Sequence, residues 1–205
     1  MLEVLTDPNG FFKRKSNDPI EFKTPLVIIL IMAALGAIIA VVTMQNVMRA
    51  LPEEAAAFAS IGMVFGVIGA VLGTLIMWAV YTAIFYVISM LFNGEGSFKR
   101  VMEFVSYGYI PSIIGSIFSV FYTLRAYSNI DFSDPNLQNT LMADPTLKIA
   151  TVVGIIFTLW SANIWIFALA HSRNLSVRNA AITVGVPILI YVLYIALIQL
   201  RIFGA

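Results

Sequence analysis

The sequence predicts an all-α protein that crosses a membrane five times, with its N-terminus in the cytoplasm and its C-terminus outside. Hydrophobic residues make up 60% of the 205 residues and charged residues only 11%, whereas a soluble domain has about 45–50% apolar and about 25% charged residues. Five stretches of 21 to 40 residues contain no Asp, Glu, Lys or Arg. Because a helix needs about 20 mostly apolar residues to cross a bilayer, each stretch is long enough to span one.

The predicted spans follow these stretches in chain order. They cover approximately residues 25–47, 55–92, 104–124, 149–170 and 179–200. Pro25 can begin the first span and Pro52 the second, because proline in the first helical turn removes no hydrogen bond that the helix would make. Residues 1–24 form a cytoplasmic N-terminal segment, and residues 25–205 form the membrane domain.

The second stretch, residues 55–94, leaves two interpretations open: one long helix or two short spans. With one helix, 8 Lys and Arg residues fall on the side of the N-terminus and 4 on the other side. With two helices the division is 7 to 5. Basic residues accumulate on the cytoplasmic side of membrane proteins, so the count favours one long helix and five spans.

The segment between the third and fourth spans carries two helix starts. Asp134-Pro135 and Asp144-Pro145 each place an N-cap residue before a first-turn proline. The first predicts a short surface helix over residues 136–142, and the second begins the fourth span. Pro111 and Pro187 lie within spans and are expected to bend them.

Small residues recur along one face of the second span and again in the third. They are Ala55, Ala59, Gly62, Gly66, Gly69 and Gly73, and then Gly108, Ser112, Gly115 and Ser119. Close backbone approach drives helix association in lipid, so we expect these faces to pack against each other or against a second copy. A functional hinge or a lipid groove is the alternative.

Polar chemistry inside the spans is sparse. Asn163 lies in mid-span and should face another helix or a wet cavity, because an unpaired amide in lipid is costly. The absence of charges near the span centres argues against a charge-coupled pump. With no cysteine and one histidine, we expect no metal or cofactor site and no catalytic residues. The net charge of +1 gives no reason to expect nucleic-acid binding.

Two charged segments lie outside the spans. Phe11 and Phe12, followed by Lys13, Arg14 and Lys15, predict anchoring at the membrane surface, with rings in the interface and cations on anionic headgroups. Docking of a cytoplasmic protein is the alternative. Glu95, Lys99, Arg100 and Glu103 are interpreted as an exposed charge cluster.

Three ordered stretches resemble the Yip1 family of membrane proteins. They are residues 7–12 (DPNGFF), residues 94–100 (GEGSFKR) leading through 107–111 (YGYIP), and residues 174–181 (NLSVRNAA) leading to Pro187. The resemblance implies a five-span bundle with a cytoplasmic N-terminus. Eukaryotic members bind Rab GTPases and family partners in vesicle traffic, and have a longer N-terminal region. The short region here is similar to that of the compact prokaryotic branch, which implies the cell membrane.

These observations support two hypotheses of function. The first is a non-enzymatic membrane scaffold, acting through helix contacts and partner binding in membrane organisation or trafficking. The second is a passive transporter, channel or scramblase for a neutral solute or lipid. The expected partners are the lipid bilayer and a second copy or other membrane proteins.

Overall fold

The computed structural model describes residues 3–49 and 51–199, and these residues form nine α-helices without any strand. The helices are α1 (Glu3–Thr6), α2 (Pro8–Lys15), α3 (Lys23–Arg49), α4 (Glu53–Met90), α5 (Phe98–Tyr107), α6 (Tyr109–Tyr127), α7 (Leu137–Ala143), α8 (Pro145–Ser172) and α9 (Val177–Gln199). The predicted end of the fifth span at residue 200 and the C-terminal Arg201 lie outside the described residues.

Five helical segments of the described chain are long and apolar enough to cross a membrane. They are Lys23–Arg49, Ser60–Met90, Phe98–Tyr127, Pro145–Ser172 and Val177–Ile198. The prediction of five spans in an all-α fold is therefore confirmed. The ambiguous second stretch is one helix of 38 residues, about 57 Å long at 1.5 Å per residue. That length exceeds a hydrocarbon core of about 30 Å, so α4 tilts or projects beyond it.

The spans form a bundle with apolar outer faces. α3 packs on α4, α6 on α8 and on α3, and α8 on α9. Large apolar side chains point outward along the spans, such as Phe65 at 69% exposure and Ile190 at 64%. Since no other part of the described chain covers them, these faces contact the lipid bilayer.

The fully buried core is concentrated at one end of the bundle. There α2 lies against α8 and α1 against α2, and α5 packs against α4 and α8. This end, which we call the motif end, carries residues 3–22 and the connections 91–97 and 173–176. Residues 128–144, including α7, lie at the opposite end, which we call the loop end. No residue of α7 is buried.

Local sequence explains where several helices begin. Asp7 accepts a hydrogen bond from the Gly10 amide at 2.9 Å, and Asp144 accepts one from the Leu147 amide at 2.9 Å. Pro145 follows Asp144 in the first turn of α8, as the sequence predicts. Asp134 instead accepts from the Asn136 amide at 2.8 Å, and α7 begins only after Asn136. Asp134 thus stabilises a turn ahead of that helix.

The third span is interrupted at Gly108, between α5 and α6. Pro111 follows three residues later and has no N–H to donate to the carbonyl of Tyr107, so the interruption falls where its missing bond would lie. Pro187 lies inside α9. A bend at either proline remains a prediction.

Candidate functional site

Arg173 fastens two connections at the motif end. Its side chain is 2% exposed; Nε donates to the Ser89 hydroxyl at 2.9 Å, and the two terminal nitrogens donate to the carbonyls of Gly94 and Gly96. Its guanidinium lies 4.2 Å from the centre of the Tyr86 ring. No carboxylate of the described chain lies within ion-pair distance of Arg173. Carbonyls and a ring therefore take the place of a counter-ion.

Gly96 allows the two connections to meet. Its φ is +126°, a conformation that favours glycine. A Cβ at this position would overlap the Ser172 carbonyl. The amide of Glu95 also donates to the Arg173 carbonyl at 2.8 Å. The GEGSF stretch and the residues before NLS are thereby joined by backbone contacts as well as by the guanidinium.

The N-terminal segment packs onto the same end rather than onto lipid. Phe12 is completely buried, with its ring 4.9 Å from that of Phe104 and 6.0 Å from that of Tyr107. Asn9 Oδ1 lies 2.8 Å from His171 Nε2. All three stretches of the family resemblance therefore meet at the motif end.

Glu103 is the centre of a buried charge cluster. Its carboxylate is 0% exposed and lies 3.3 Å from Lys15 Nζ and 2.9 Å from Arg100 Nη1. It also accepts from the Glu21 amide at 3.3 Å. The interpretation of Glu103 and Arg100 as exposed is wrong, because the N-terminal segment covers them. The cluster links that segment to α5.

A cavity of about 330 Å³ lies between the spans. By the volume of water in the liquid, about 30 Å³, this is room for about ten water molecules. Its wall is rich in hydroxyl groups, from Tyr81, Tyr109, Ser112, Ser116, Ser119, Thr151, Thr158 and Tyr191. None of the described residues lining it is Asp, Glu, Lys, Arg or His. The wall can therefore donate and accept hydrogen bonds without offering a charge.

The hydroxyl group of Tyr109, a residue of this wall, is buried without a hydrogen-bond partner among the described residues. Tyr109 is 7% exposed. Nearby, the hydroxyls of Ser112 and Ser161 lie 2.8 Å apart. Buried hydroxyls are normally paired, and the Tyr109 hydroxyl is an exception that the surrounding protein encloses.

Aromatic rings close the cavity toward the motif end. The Trp165 ring stacks on Tyr81 with centroids 5.6 Å apart and meets the Tyr109 ring edge-on at 5.6 Å. Its indole N–H donates to the Val105 carbonyl at 2.7 Å. A Cβ on Gly108 would overlap this indole, and one on Gly115 would lie 2.7 Å from the Phe157 Cβ. Both glycines therefore let α6 approach α8 closely.

A second space of about 670 Å³ continues the cavity toward the loop end, and we call it the vestibule. The cavity and the vestibule share Ser119, Thr151 and Tyr191 in their walls. The vestibule is also lined by Leu141 of α7 and by Lys148 of α8. The two spaces adjoin at these residues, and we call them together the passage; the aromatic rings around Trp165 lie at its end nearest the motif end.

The comparisons with known proteins bear on identity. The family model of the Yip1 domain matches residues 2–198. The chain belongs to the Yip1 family. This Yip1 chain is also similar to an uncharacterized protein of the archaeon Methanocaldococcus jannaschii, with 32% identity over 120 residues, which are 58% of this chain and 85% of that protein. The likeness is consistent with a compact prokaryotic-type member. No solved structure matches the chain.

The small-residue faces of this Yip1 chain do not meet each other. A Cβ on Gly62 would lie 3.4 Å from Met44 and one on Gly66 would lie 3.9 Å from Ala40, both on α3. A Cβ on Gly69 or Gly73 would meet nothing within 4 Å. Within one chain, the face of the third span packs on α8 instead, through Gly108 and Gly115. Packing of the α4 face on a second copy remains a prediction. The side chains of Ala55 and Ala59 lie outside the described residues.

Asn163 lies on the exposed side of α8, and it is not among the residues lining the cavity or the vestibule. The expectation that it faces a cavity or another helix is not met within one chain. The physical reason is helical phase, since Asn163 follows the outward Ile156 and Leu159 at helical spacing. The amide continues the lipid-facing stripe of the helix.

The membrane-surface prediction for the N-terminal segment needs correction at two positions. Phe12 is buried in protein, and Lys15 faces Glu103 with only 15% of its side chain exposed. Phe11 is half-buried, with its ring 5.1 Å from that of Tyr107. Lys13 and Arg14 are exposed, and Arg14 pairs with Glu3. The apolar side of α2 packs on the bundle, so Phe12 leaves water by burial in protein. Anchoring of Phe11, Lys13 and Arg14 at the membrane surface remains a prediction.

Sequence reasoning missed the residues that organise this site. Arg173 has the same sequence context as an ordinary loop cation. Tyr109 differs from other span tyrosines only through its tertiary surroundings. Glu103 carried a usable signal: it begins an apolar stretch, and Arg100 precedes it by one helical turn, a spacing typical of ion pairs. The described residues hold no group of three or more His, Asp or Glu side chains that could bind a metal.

Proposed function

We propose that this chain is a non-enzymatic membrane protein that holds the uncharged polar part of a solute or lipid in its central cavity. The uncharged, hydroxyl-rich wall of the cavity is the observation that carries the proposal. Leaving a buried hydroxyl unsatisfied costs about 1–3 kcal/mol. A ligand with uncharged polar groups can exchange hydrogen bonds with wall residues such as Ser112 and Ser116 and so avoids this cost on both sides.

The chemistry of the wall supports binding of a neutral group rather than catalysis or ion pumping. General acid–base catalysis and ion coupling both use ionisable side chains in the site, and the described cavity wall offers hydroxyls. The aromatic rings around Trp165 end the passage, so passive transport would require them to move. We further propose that the N-terminus is cytoplasmic, from the excess of Lys and Arg on its side, and that a prokaryotic owner carries the chain in its cell membrane.

A membrane scaffold is the second candidate. Gly69 and Gly73 form a surface of α4 that no other described residue covers. Asn163 places an amide on the outer face of α8. Small residues let another helix approach closely, and an amide in lipid gains from a partner on that helix. A second copy or another membrane protein could use these surfaces in membrane organisation or trafficking.

One photochemical experiment separates the two functions. A diazirine amino acid replaces Ser112 in the cavity, Ile156 on the lipid-facing side of α8, or Gly69 on α4, and the chain is irradiated in native membranes. We expect position 112 to give a discrete set of small-molecule adducts by mass spectrometry. Position 156, which is 57% exposed, reports the composition of the surrounding lipid.

The adducts decide the outcome. If position 112 captures only water, or reproduces the lipid profile of position 156, the cavity does not hold a selected ligand. A crosslinked dimer from position 69, absent from position 156, would support the scaffold. If the diazirine at position 69 captured lipid alone, this result would count against the scaffold function.

A further inference from the structure

The vestibule contains a cation without an acidic partner. Lys148 lies in the first turns of α8 and lines the vestibule wall. Among the described residues, no carboxylate lies within the 4.0 Å that would define an ion pair with it. The acidic residue one turn earlier, Asp144, accepts a hydrogen bond from the Leu147 amide. Lys148 is thus available to an anion.

The other basic residues that lie inside the protein are differently placed. Lys15 and Arg100 share the buried carboxylate of Glu103. Arg173 is satisfied by carbonyls and by the Tyr86 ring. Lys148 is half-buried and stands at the entrance of a passage whose deeper wall offers hydroxyls. An unpaired cation at this position favours a ligand that carries a negative charge some distance from its uncharged polar end.

The wall of the vestibule also has an apolar part. Ile39, Leu141 and Leu147 line it together with Ser119 and Thr123. Such a surface accommodates the first carbons of an alkyl chain. The vestibule therefore offers three chemistries together: the hydroxyls of its own wall, a cation, and apolar side chains beside that cation.

Building on the proposed function, we propose that the passage binds a hydroxylated group joined to a phosphate. The hydroxyls of the ligand lie among Ser119, Thr123 and Thr151, which share the vestibule wall with Lys148, and the phosphate lies at Lys148. A phospholipid with a polyol headgroup supplies this chemistry and places its chains against the apolar part of the vestibule. A free polyol phosphate supplies the same polar groups without chains.

The test uses the full chain with a diazirine in place of Ile39, which shares the vestibule wall with Lys148, reconstituted in nanodiscs. One set contains phosphatidylglycerol as a minority lipid, a second contains an uncharged glycosyl diacylglycerol instead, and both have phosphatidylcholine as background. We expect the phosphatidylglycerol adduct to dominate. Lys148→Gln should lower its yield about fivefold, which corresponds to the approximately 1 kcal/mol of one interfacial cation, and Lys148→Arg should preserve it.

Lys99→Gln is the matched control, because Lys99 is an exposed lysine at the motif end, and it should leave the yield unchanged. Glycerol 3-phosphate added to the nanodiscs distinguishes the sources: suppression of the lipid adduct at millimolar concentration assigns the site to the free compound, and no suppression assigns it to the lipid. Equal yields in the Lys148→Gln variant, or equal capture of the uncharged glycolipid, would overturn the phosphate assignment while leaving the cavity a binding site. Absence of any phosphatidylglycerol adduct at position 39 would overturn this proposal alone, since position 112 tests the proposed function separately.

Discussion

Replacing Arg173 with methionine should destabilise the protein more than any other single change to the motif end. The substitution removes the donors to Ser89, Gly94 and Gly96 and leaves two loop carbonyls without partners in a closed environment. Each hydrogen bond to a charged group contributes about 1.5–3 kcal/mol, so we expect a loss of roughly 3–5 kcal/mol in the free energy of unfolding. Thermal unfolding in detergent, followed by circular dichroism, measures this loss.

Arg178→Met is the matched control for this prediction. Arg178 is exposed in the first turn of α9, so its loss should change stability by less than about 0.5 kcal/mol. Arg173→Lys keeps the charge without the planar fork of donors, and it should recover only part of the stability. If Arg173→Met and Arg178→Met unfolded at the same temperature, Arg173 would not fasten the connections.

Glu103→Gln should release the N-terminal segment from the bundle. The amide keeps the size of the side chain but removes the ion pair of Arg100 and leaves Lys15 with only Glu21, at 4.0 Å. Removing one member of a buried ion pair costs about 3–5 kcal/mol. The loss here falls toward the lower end, because about 15% of each cation's side chain remains exposed (15% and 16%).

Limited proteolysis reports this release more directly than global unfolding does. Trypsin cleaves after Lys13, Arg14 and Lys15, which α2 holds against α8 in the intact protein. We expect cleavage there to be at least tenfold faster in Glu103→Gln, since 1.4 kcal/mol already changes an opening equilibrium tenfold. Glu95→Gln, at an exposed site, should be cleaved at the unaltered rate. Equal cleavage of both variants would show that the cluster does not hold the segment.

The spans and several helix ends can be predicted from the sequence because they depend on residues that are close together in the chain. An uncharged stretch such as residues 149–172 has one stable arrangement in a bilayer, and Asp144-Pro145 begins its helix whatever it later contacts. The 38-residue helix α4 is also predictable, because no proline, aspartate or asparagine interrupts residues 62–92.

The contacts at the motif end are harder to predict from the sequence, because burial in protein and burial in lipid favour the same apolar residues. Phe12 in an amphipathic segment is compatible with a headgroup interface or with a protein groove, and only the presence of Phe104 and Tyr107 decides between them. Arg173 is a comparable case. Its burial depends on two glycine carbonyls that lie almost eighty residues earlier in the chain, and no local pattern links them.

The passage could not be predicted from the sequence, because residues from several helices form its wall. Its hydroxyls come from α4, α6, α8 and α9, and each helix alone carries only scattered serines, threonines and tyrosines. The glycines of α6 indicate a close contact, but glycine accepts many neighbours, so the sequence did not distinguish α8 from α4 as the partner. Asn163 illustrates the converse, since polarity alone did not determine which way its side chain points.

The proposed function depends on a passage that extends to the loop end and is closed at the motif end, and labelling of a single cysteine at Ser112 measures this directly. The chain has no native cysteine, and cysteines at Asn17 and Asn129 report the two sides of the membrane. In sealed vesicles of known orientation, a membrane-impermeant maleimide should reach position 112 from the side that labels Asn129 and not from the side that labels Asn17. Labelling from the Asn17 side, or from neither side, would contradict the account.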